Sequence, residues 1–245
     1  MRLKIEKRKL SKNEFDDLAF LYALLEGGPN VILDCGANIG FVSYQFYKRF
    51  PSAAIYSFEP NPDVFQILNA NLTKEKTINK VNVGIGSQND SITFYKNNNT
   101  GTSSFMEPNA FHRAHLARKY TPLTVPVVTI ESFCSENDID HIGIVKLDIE
   151  GFEIEALKGC RNLLDNGNID FLFIEVSLVP TYEGQPLIEE VISFLRQYKY
   201  IPYNIYGNNE TDLRETFLTN ILFMSDKIAQ KIIEKKGKNS VYHAD

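Results

Sequence analysis

Short apolar runs alternate with amphipathic helical patterns along most of this chain, and this alternation constrains the fold more than any other feature. The apolar run at 31–35 precedes a helical pattern over 39–50, the run at 53–58 precedes one over 62–72, and a third predicted strand spans 80–85. Buried strands separated by helices are typical of a mostly parallel sheet that is covered by helices on both faces. The sequence therefore predicts an α/β fold of the Rossmann-like type.

The second half of the chain repeats this order after an interruption. The predicted elements there are strands at 142–148 and 170–176, helices at 153–164 and 186–197, and a closing antiparallel hairpin formed by 199–206 and 217–224. The interruption covers 86–122, where 91–96 has the pattern of an extra strand. We expect this insertion to pass over the carboxyl edge of the sheet and to act as a lid.

The chain shows no internal repeat and no low-complexity linker, so we expect one main domain with two short flanks. Residues 1–30 form an N-terminal helical segment whose helix covers 13–26, residues 31–225 form the main domain with its 86–122 insertion, and residues 226–245 form a basic C-terminal tail. The tail has the pattern of a solvated terminal helix.

Composition narrows the class of protein. The 245 residues carry a formal net charge of −5, which argues against a general nucleic-acid binder. The cysteines Cys35, Cys134 and Cys160 show no paired spacing, so a disulfide framework and a structural zinc site are not expected. The chain has no apolar stretch of about 18 residues and a charged N-terminus, so we expect a cytoplasmic protein without a membrane span.

The segment VILDCGANIG places small residues directly after a buried strand. Asp34 lies at the carboxyl end of that strand, and Gly36 and Gly40 turn the chain into a helix. Glu59 ends the next strand, 19 residues after Gly40. Because ligands of open α/β sheets bind beyond the carboxyl ends of the strands, and a carboxylate there accepts hydrogen bonds from ribose hydroxyls, these segments outline an adenosine pocket.

The spacing of the glycines distinguishes between two classes of adenosine-containing cofactor. A dinucleotide fingerprint reads GxGxxG, so that backbone amides hold a pyrophosphate, whereas here three residues separate Gly36 from Gly40. The carboxylate of Asp34 suits the ammonium group of a methionine moiety and would repel a pyrophosphate. The pattern favours S-adenosylmethionine over NAD, and a sheet turn without any ligand is the remaining interpretation.

The run KLDIEGFE brings three carboxylates to the end of another predicted strand. Asp148 points toward the cofactor cleft, and Glu150 can act with it as a base, a hydroxyl acceptor or a metal ligand. Carboxylates also favour helix N-termini, so capping of the following helix is the alternative for Asp148 and for Glu153.

VILDCGANIGFVS, FEPNP, GTSSF and KLDIEGFE, in this order and spacing, resemble the FkbM family of methyltransferases over about residues 30–205. The resemblance implies a class I methyltransferase fold, with a seven-stranded, mostly parallel sheet that contains one antiparallel strand. It implies S-adenosylmethionine as the methyl donor and a hydroxyl of a sugar, glycan or small natural product as the acceptor. The cofactor-binding residues that it implies are Asp34, Gly36, Asn38, Gly40, Glu59, Pro60, Gly84 and Ile85.

Four further residues are candidates for contact with the acceptor. Ser103 and Ser104 lie in a loop where the family often has a similar pair, and they either touch substrate or satisfy the backbone of the loop. His112 and His115 share one face of a predicted helix. That face is either a solvated basic surface, part of a metal site, or a site for an anionic acceptor.

The sequence predicts an S-adenosylmethionine-dependent O-methyltransferase in which Asp148 and Glu150 are the catalytic candidates. A hydroxyl attacks the methyl group directly, with help from a base or a divalent cation. An N-methyltransferase of a macromolecule is one alternative, although such enzymes usually carry an Asn/Asp-Pro-Pro-Tyr/Phe segment where this chain reads DIEGFE. A non-catalytic nucleoside-binding module is the other. The acceptor itself, the metal dependence and the oligomeric state, including a dimer, stay open.

Overall fold

A seven-stranded sheet forms the centre of the structure, a computed structural model that describes residues 14–97, 100–110, 113, 119–207 and 217–239. The strands are β1 Val31–Cys35, β2 Ala54–Phe58, β3 Ile78–Val81, β4 Gly84–Ile85, β5 Asp90–Asn97, β6 Tyr120–Val128, β7 Ile142–Leu147, β8 Ile169–Ser177, β9 Tyr200–Tyr206 and β10 Leu218–Ser225. The helices are α1 Glu14–Leu24, α2 Phe41–Arg49, α3 Pro62–Asn71, α4 Ile130–Glu136, α5 Glu153–Lys158, α6 Arg161–Asp165, α7 Ile188–Gln197 and α8 Asp226–Asn239. A short 3₁₀ turn covers Thr100–Thr102.

The strand order in the central sheet is β3-β2-β1-β7-β8-β10-β9. β1 pairs in parallel with both β2 and β7, whereas β10 is antiparallel to β8 and to β9. The other strands therefore run in one direction and β10 alone runs against them. The prediction of a mostly parallel seven-stranded sheet with one antiparallel strand is confirmed.

Each central strand sends alternate side chains into two different apolar cores, because successive side chains of a strand point to opposite faces. Leu33 and Val145 belong to the core that α4, α5, α6 and α7 cover. Ile32 and Ile144 belong to the opposite core, which α1, α2, α3 and α8 cover. Burial of each such side chain stabilises the fold by about 1.5–3 kcal/mol, so both faces of the sheet require their helices.

The terminal helix α8 packs on one face. Ile228, Ala229 and Ile232 are buried in the second core, while Ile233 is 68% exposed. The prediction of a solvated helix therefore holds for only one face of α8. No helix in the described ranges is both long and apolar enough to cross a membrane.

The strand predicted at 80–85 is split between two sheets. Residues 78–81 form the edge of the central sheet, and 84–85 pair with β6 in a separate three-stranded sheet of order β4-β6-β5. Asn82 lies between them, and its amide donates hydrogen bonds to the carbonyls of Glu59 and Pro60. These bonds fix the point at which the chain leaves one sheet for the other.

The insertion contains more regular structure than its sequence predicts. β5 matches the strand expected at 91–96, and it pairs along its whole length with β6, which the sequence pattern did not predict. Pro122 and Pro126 lie within β6, and proline weakens a strand pattern because it cannot donate to the ladder. α4, which lies beyond the insertion, was also not predicted.

Candidate active site

The carboxyl ends of three parallel strands meet at one edge of the central sheet. In the register of the sheet, Cys35 at the end of β1 lies opposite Phe58 of β2 and Leu147 of β7. The residues that follow each strand are therefore neighbours in space. They include Gly36, Glu59 and Asp148, which the sequence had placed at three separate strand ends.

The turn after β1 has a backbone shape that only certain residues adopt. Gly36 has φ +81°, and a Cβ atom there would lie 1.9 Å from the backbone oxygen of Asp148. Gly40 has φ +92°, and a Cβ atom there would lie 2.6 Å from the side chain of Leu72. Asn38 between them also has a positive φ, of 48°. Both glycines are required for the turn to pack against its neighbours.

Asp34 lies under this turn and is fully buried. Its Oδ2 accepts a hydrogen bond of 2.5 Å from the hydroxyl of Ser43, which lies in turn 2.6 Å from the hydroxyl of Ser57. Its Oδ1 lies 3.2 Å from the ammonium of Lys146. Oδ2 thus has a hydrogen-bond partner, whereas Oδ1 has the charge of Lys146 nearby but no hydrogen bond within the described residues. Direct contact of Asp34 with a methionine ammonium stays a prediction.

Lys146 joins the first strand end to the third. Its buried ammonium lies 3.2 Å from Asp148 Oδ2 and donates a 3.1 Å hydrogen bond to the carbonyl oxygen of Gly36, in addition to its ion pair with Asp34. Although burial alone would lower the pKa of Lys146, the adjacent carboxylates of Asp148 and Asp34 raise it. The ammonium therefore stays charged and compensates both carboxylates. Sequence reasoning missed this residue; the signal was a lysine inside the buried strand IGIVKL.

Glu59 is oriented by two backbone amides. Its Oε2 accepts from the amide of Asn38 at 3.0 Å, and its Oε1 accepts from the amide of Asn61 at 2.9 Å. The side chain is buried, and this burial raises its pKa to about 7 in spite of the two hydrogen bonds. The carboxylate is thus held rigidly beside the glycine turn, where the predicted ribose site lies.

The fit of this pocket to a nucleoside rests on donor and acceptor groups that the protein leaves available. Asn38 Oδ1 and Asn61 Nδ2 are buried, and neither has a hydrogen-bond partner in the described part of the chain. Buried polar atoms are normally hydrogen-bonded. One unsatisfied acceptor and one unsatisfied donor on either side of Glu59 are what a polar ligand such as adenosylmethionine would require.

Three other predicted cofactor residues, Pro60, Gly84 and Ile85, are buried in the fold. Gly84 and Ile85 form the buried strand β4, and Ile85 belongs to the first apolar core. A Cβ atom on Gly84 would lie 2.3 Å from the ring of Phe105. Pro60 is buried, and its carbonyl oxygen accepts from Asn82. Their contact with cofactor stays a prediction.

The acidic turn after β7 is stabilised by Glu153. The Oε1 of this residue accepts from the amides of Ile149 at 3.1 Å and of Gly151 at 3.2 Å, and burial raises its pKa to about 7. These bonds give hydrogen-bond partners to two backbone amides of the turn immediately before α5. Glu153 therefore stabilises the turn and does not cap the helix, since its partners precede α5 and the N-terminus at Phe152 has no side-chain cap bond.

Glu150 occupies a backbone conformation that is uncommon outside glycine, with φ +56°. Its carbonyl oxygen accepts from the hydroxyl of Ser104 at 2.7 Å, and its Oε2 accepts from the hydroxyl of Tyr182 at 2.9 Å. Burial and the adjacent carboxylate raise the pKa of Tyr182 well above its usual value, so the hydroxyl stays a donor. Tyr182 was not predicted, because it lies 32 residues farther along the chain.

A third carboxylate comes from β8. Glu175 lies close enough to Asp148 and Glu150 that one oxygen of each falls within 4.8 Å of the others. Burial and repulsion from these two carboxylates raise the pKa of Glu175 well above its usual value. The arrangement can hold a proton or a cation. Glu175 was not predicted as a site residue, because it belongs to a strand whose pattern is typical of the core.

The two serines of the insertion serve the backbone. The hydroxyl of Ser104 is buried, donates to Glu150 and accepts from the amide of Met106 at 2.9 Å. The hydroxyl of Ser103 accepts from the amide of Asn97 at 2.9 Å. Of the two predicted roles, the structure supports loop stabilisation. His112 and His115 lie outside the described residues.

Comparison with known proteins identifies a family. A model described as the methyltransferase FkbM domain matches residues 34–202, more than half of the chain. The 2-O-methyltransferase NoeI of Sinorhizobium fredii is 25% identical over 189 residues, which cover 74% of this chain and 77% of that protein. The 31-O-demethyl-FK506 methyltransferase FkbM of Streptomyces tacrolimicus is 25% identical over 217 residues, which cover 78% of this chain and 80% of that protein.

Other matches are shorter or show the fold alone. The hexuronic acid methyltransferase AglP of Haloferax volcanii is 26% identical over 148 residues, which cover 60% of this chain and 56% of that protein. A crystal structure of a methyltransferase FkbM from Methylobacillus flagellatus has a TM-score of 0.52 at 18% identity and covers 79% of this chain, which spans 43% of that longer one. The class I methyltransferase fold and the domain match agree: the chain belongs to the FkbM methyltransferase family.

Proposed function

We propose that this methyltransferase transfers a methyl group from S-adenosylmethionine to a hydroxyl of a sugar, a glycan or a small natural product. The observation that carries the proposal is the position of the acidic turn with Asp148 and Glu150, which lies against the glycine turn of the cofactor site. A Cβ atom on Gly36 would meet the Asp148 backbone at 1.9 Å. This contact supports a donor site next to the candidate catalytic carboxylates.

The names of the relatives support oxygen as the attacked atom. Two of them are O-methyltransferases by name, and AglP acts on a hexuronic acid. The place where many N-methyltransferases hold a planar amino group reads DIEGFE here. Carboxylates at that position suit a hydroxyl, whose proton they accept, better than they suit a planar amide or base.

The residues present fit S-adenosylmethionine, the donor that membership of the family implies. Glu59 would accept from the ribose hydroxyls, and the turn from Gly36 to Gly40, with Asn38, would enclose the methionine part. When bound, this cofactor supplies a methyl group activated on a sulfonium. The protein's task is then to orient the acceptor hydroxyl in line with that group and to exclude water.

A hydroxyl is a poor nucleophile at neutral pH, so removal of its proton is the step in which side chains act. Asp148 is the first candidate base, because its side chain is 37% exposed at the edge of the site while Lys146 holds one of its oxygens. Glu150 is the second, with one oxygen held by Tyr182. We place both in contact with the acceptor.

A divalent cation is a second way to activate the hydroxyl. The oxygens of Asp148, Glu150 and Glu175 form the group within the described residues that could hold one, and hard cations prefer such oxygen ligands. Activity measured after treatment with EDTA, and again with added Mg²⁺, decides between the two. Loss and recovery would assign metal assistance, and unchanged activity would assign the proton to a carboxylate alone.

The proposed acceptor class is tested by a screen with S-adenosylmethionine that carries a ¹³C-labelled methyl group. The panel contains neutral sugars, a hexuronic acid, hydroxylated natural products and an amine. The chemical shift of the transferred carbon separates O-methyl from N-methyl products. We expect O-methyl products alone. Transfer to the amine and to none of the hydroxyl compounds would contradict the proposal.

We further propose that the enzyme works in the cytoplasm. Cys35, Cys134 and Cys160 are all buried free thiols, as is usual for proteins of a reducing compartment.

Cofactor affinity should depend on pH through Glu59. Its pKa is about 7, and only the ionised carboxylate accepts from both ribose hydroxyls, so binding should weaken as the pH falls below 7. We expect the affinity for S-adenosylhomocysteine to be about tenfold lower at pH 6 than at pH 8, measured by calorimetric titration. Glu59→Gln should bind more weakly and without this dependence. An equal pH dependence in Glu59→Gln would assign the effect to another group.

A further inference from the structure

Two loops from distant parts of the chain are joined above the acidic turn. The amide of Asn109 donates to Thr181 O at 3.2 Å, and its side chain donates to Pro180 O at 2.9 Å. In the other direction, the amide of Glu183 donates to Glu107 O at 2.8 Å. We call residues 102–109 and 180–185 the rim. These hydrogen bonds between its halves make it one structural unit.

The half of the rim that follows β8 is itself held from within. Gln185 is buried, and its Oε1 accepts from the amides of Thr181 at 2.7 Å and of Tyr182 at 3.2 Å. Its Nε2 donates to the hydroxyl of Ser177 at the end of β8 at 2.6 Å. Tyr182 therefore projects from a rigid loop, and its side chain is 1% exposed.

The hydroxyl of Tyr182 connects this rim to the acidic turn. It lies 2.9 Å from Glu150 Oε2 and 3.3 Å from Thr102 O in the opposite half of the rim. Glu150 is also held through its backbone, since Ser104 of the rim donates to its carbonyl oxygen. A non-glycine residue keeps a left-handed backbone conformation only when contacts with the surrounding structure hold it there. The rim supplies that constraint.

We propose that Tyr182 is a positioning residue for methyl transfer, because its buried hydroxyl donates its one proton to Glu150 Oε2, sets the direction of that carboxylate and joins the acidic turn to the rim. The inference rests on the proposed function for the part that concerns catalysis. The claim that the Tyr182 hydroxyl holds the acidic turn does not depend on the identity of the acceptor. Hydrogen exchange therefore tests it even before an acceptor is known.

The variant is Tyr182→Phe, which removes one hydroxyl and keeps the ring. The matched control is Tyr200→Phe, a buried tyrosine whose hydroxyl donates to Ile169 O at 2.7 Å at the other edge of the sheet. Each variant loses one buried hydroxyl that donates to an acceptor within the protein. The reporters are the amides of Ile149 and Gly151 in the turn and those of Asn109 and Glu183 in the rim.

We expect amide exchange at all four reporters to accelerate about tenfold in Tyr182→Phe and to stay unchanged in Tyr200→Phe. Affinity for S-adenosylhomocysteine, measured by calorimetry, should be the same in both variants and in the wild type. Wild-type exchange rates at Ile149 and Gly151 in folded Tyr182→Phe would overturn the proposal. If wild-type protein fails to bind S-adenosylhomocysteine, that failure concerns the proposed function and leaves the exchange result valid.

A second variant covers the case in which Tyr182→Phe does not fold. Asn109→Ala breaks the rim from its other half, and it should accelerate exchange at Glu183 and in the turn together. Acceleration at Glu183 alone would show two independent loops and overturn the proposal. With an acceptor in hand, kcat should fall in Tyr182→Phe, and this loss should disappear in a Glu150→Gln background. Additive losses would mean that Tyr182 does not act through Glu150.

Discussion

Gly36→Ala should abolish cofactor binding. The added Cβ atom would lie 1.9 Å from the backbone oxygen of Asp148, and the residue has φ +81°. The backbone at Gly36 cannot easily move away from that at Asp148, because the amide of Gly36 donates to Phe58 O at 3.0 Å and the amide of Asp148 donates to Cys35 O at 3.2 Å. We expect the free energy of unfolding to fall by about 2–5 kcal/mol.

The control for this substitution is Gly28→Ala, since a Cβ atom at Gly28 would meet no atom within 4 Å. Urea unfolding measures stability, and calorimetric titration with S-adenosylhomocysteine measures binding. Gly28→Ala should match the wild type in both. If Gly36→Ala bound the ligand with wild-type affinity, the turn after β1 would not be the cofactor site.

Asp148→Asn should have the second largest effect, on turnover. Asparagine keeps the size of the side chain and an oxygen that can accept from Lys146, but it cannot take a proton from the acceptor hydroxyl. Loss of a general base reduces kcat by about 10²- to 10⁴-fold. Affinity for S-adenosylhomocysteine should change little, because Lys146 keeps its contacts with Asp34 and with Gly36 O.

Two further variants serve as comparisons for Asp148→Asn. Glu150→Gln should lower kcat less, because the amide oxygen can still accept from Tyr182. Asp165→Asn removes an exposed carboxylate on α6 and should leave kcat unchanged. The initial rate of methyl transfer under saturating donor and acceptor measures all three. An Asp148→Asn enzyme with kcat within threefold of the wild type would remove Asp148 from the role of base.

The sheet and the cofactor turn were predictable because their signals are local. A buried strand such as β1 reads as a continuous apolar run, since helices cover both faces of a parallel sheet. The glycines that follow it are fixed by backbone geometry, at Gly36 and Gly40 alike. The position of Glu59 at the next strand end followed from the same alternation, and the structure places it beside the turn.

The separation of β3 from β4 was not predictable from local pattern. The strand predicted at 80–85 shows no turn signal in the sequence, but the side chain of Asn82 bonds to carbonyls of the loop after β2 and redirects the chain. That contact joins residues more than twenty positions apart. β6 was missed for a different reason, because its two prolines weaken the strand pattern and its partners, β4 and β5, both lie outside the central sheet.

The polar residues that complete the site come from long-range contacts. Lys146 pairs with Asp34, and Tyr182 reaches Glu150 from the loop after β8. A lysine in a buried strand is a readable signal, because such a charge requires a partner. A tyrosine in a loop is no such signal. Glu175 falls between these cases, as an acidic residue that follows the apolar segment 171–174 of its strand.

The central claim is that this chain binds S-adenosylmethionine through the turn after β1 and through Glu59. Calorimetric titration of the wild type with S-adenosylhomocysteine, beside Glu59→Ala and with NAD as the competing ligand, tests it most directly. The account predicts a dissociation constant near micromolar, about −8 kcal/mol, loss of that binding in Glu59→Ala, and no binding of NAD. A folded wild-type protein that fails to bind S-adenosylhomocysteine would contradict it.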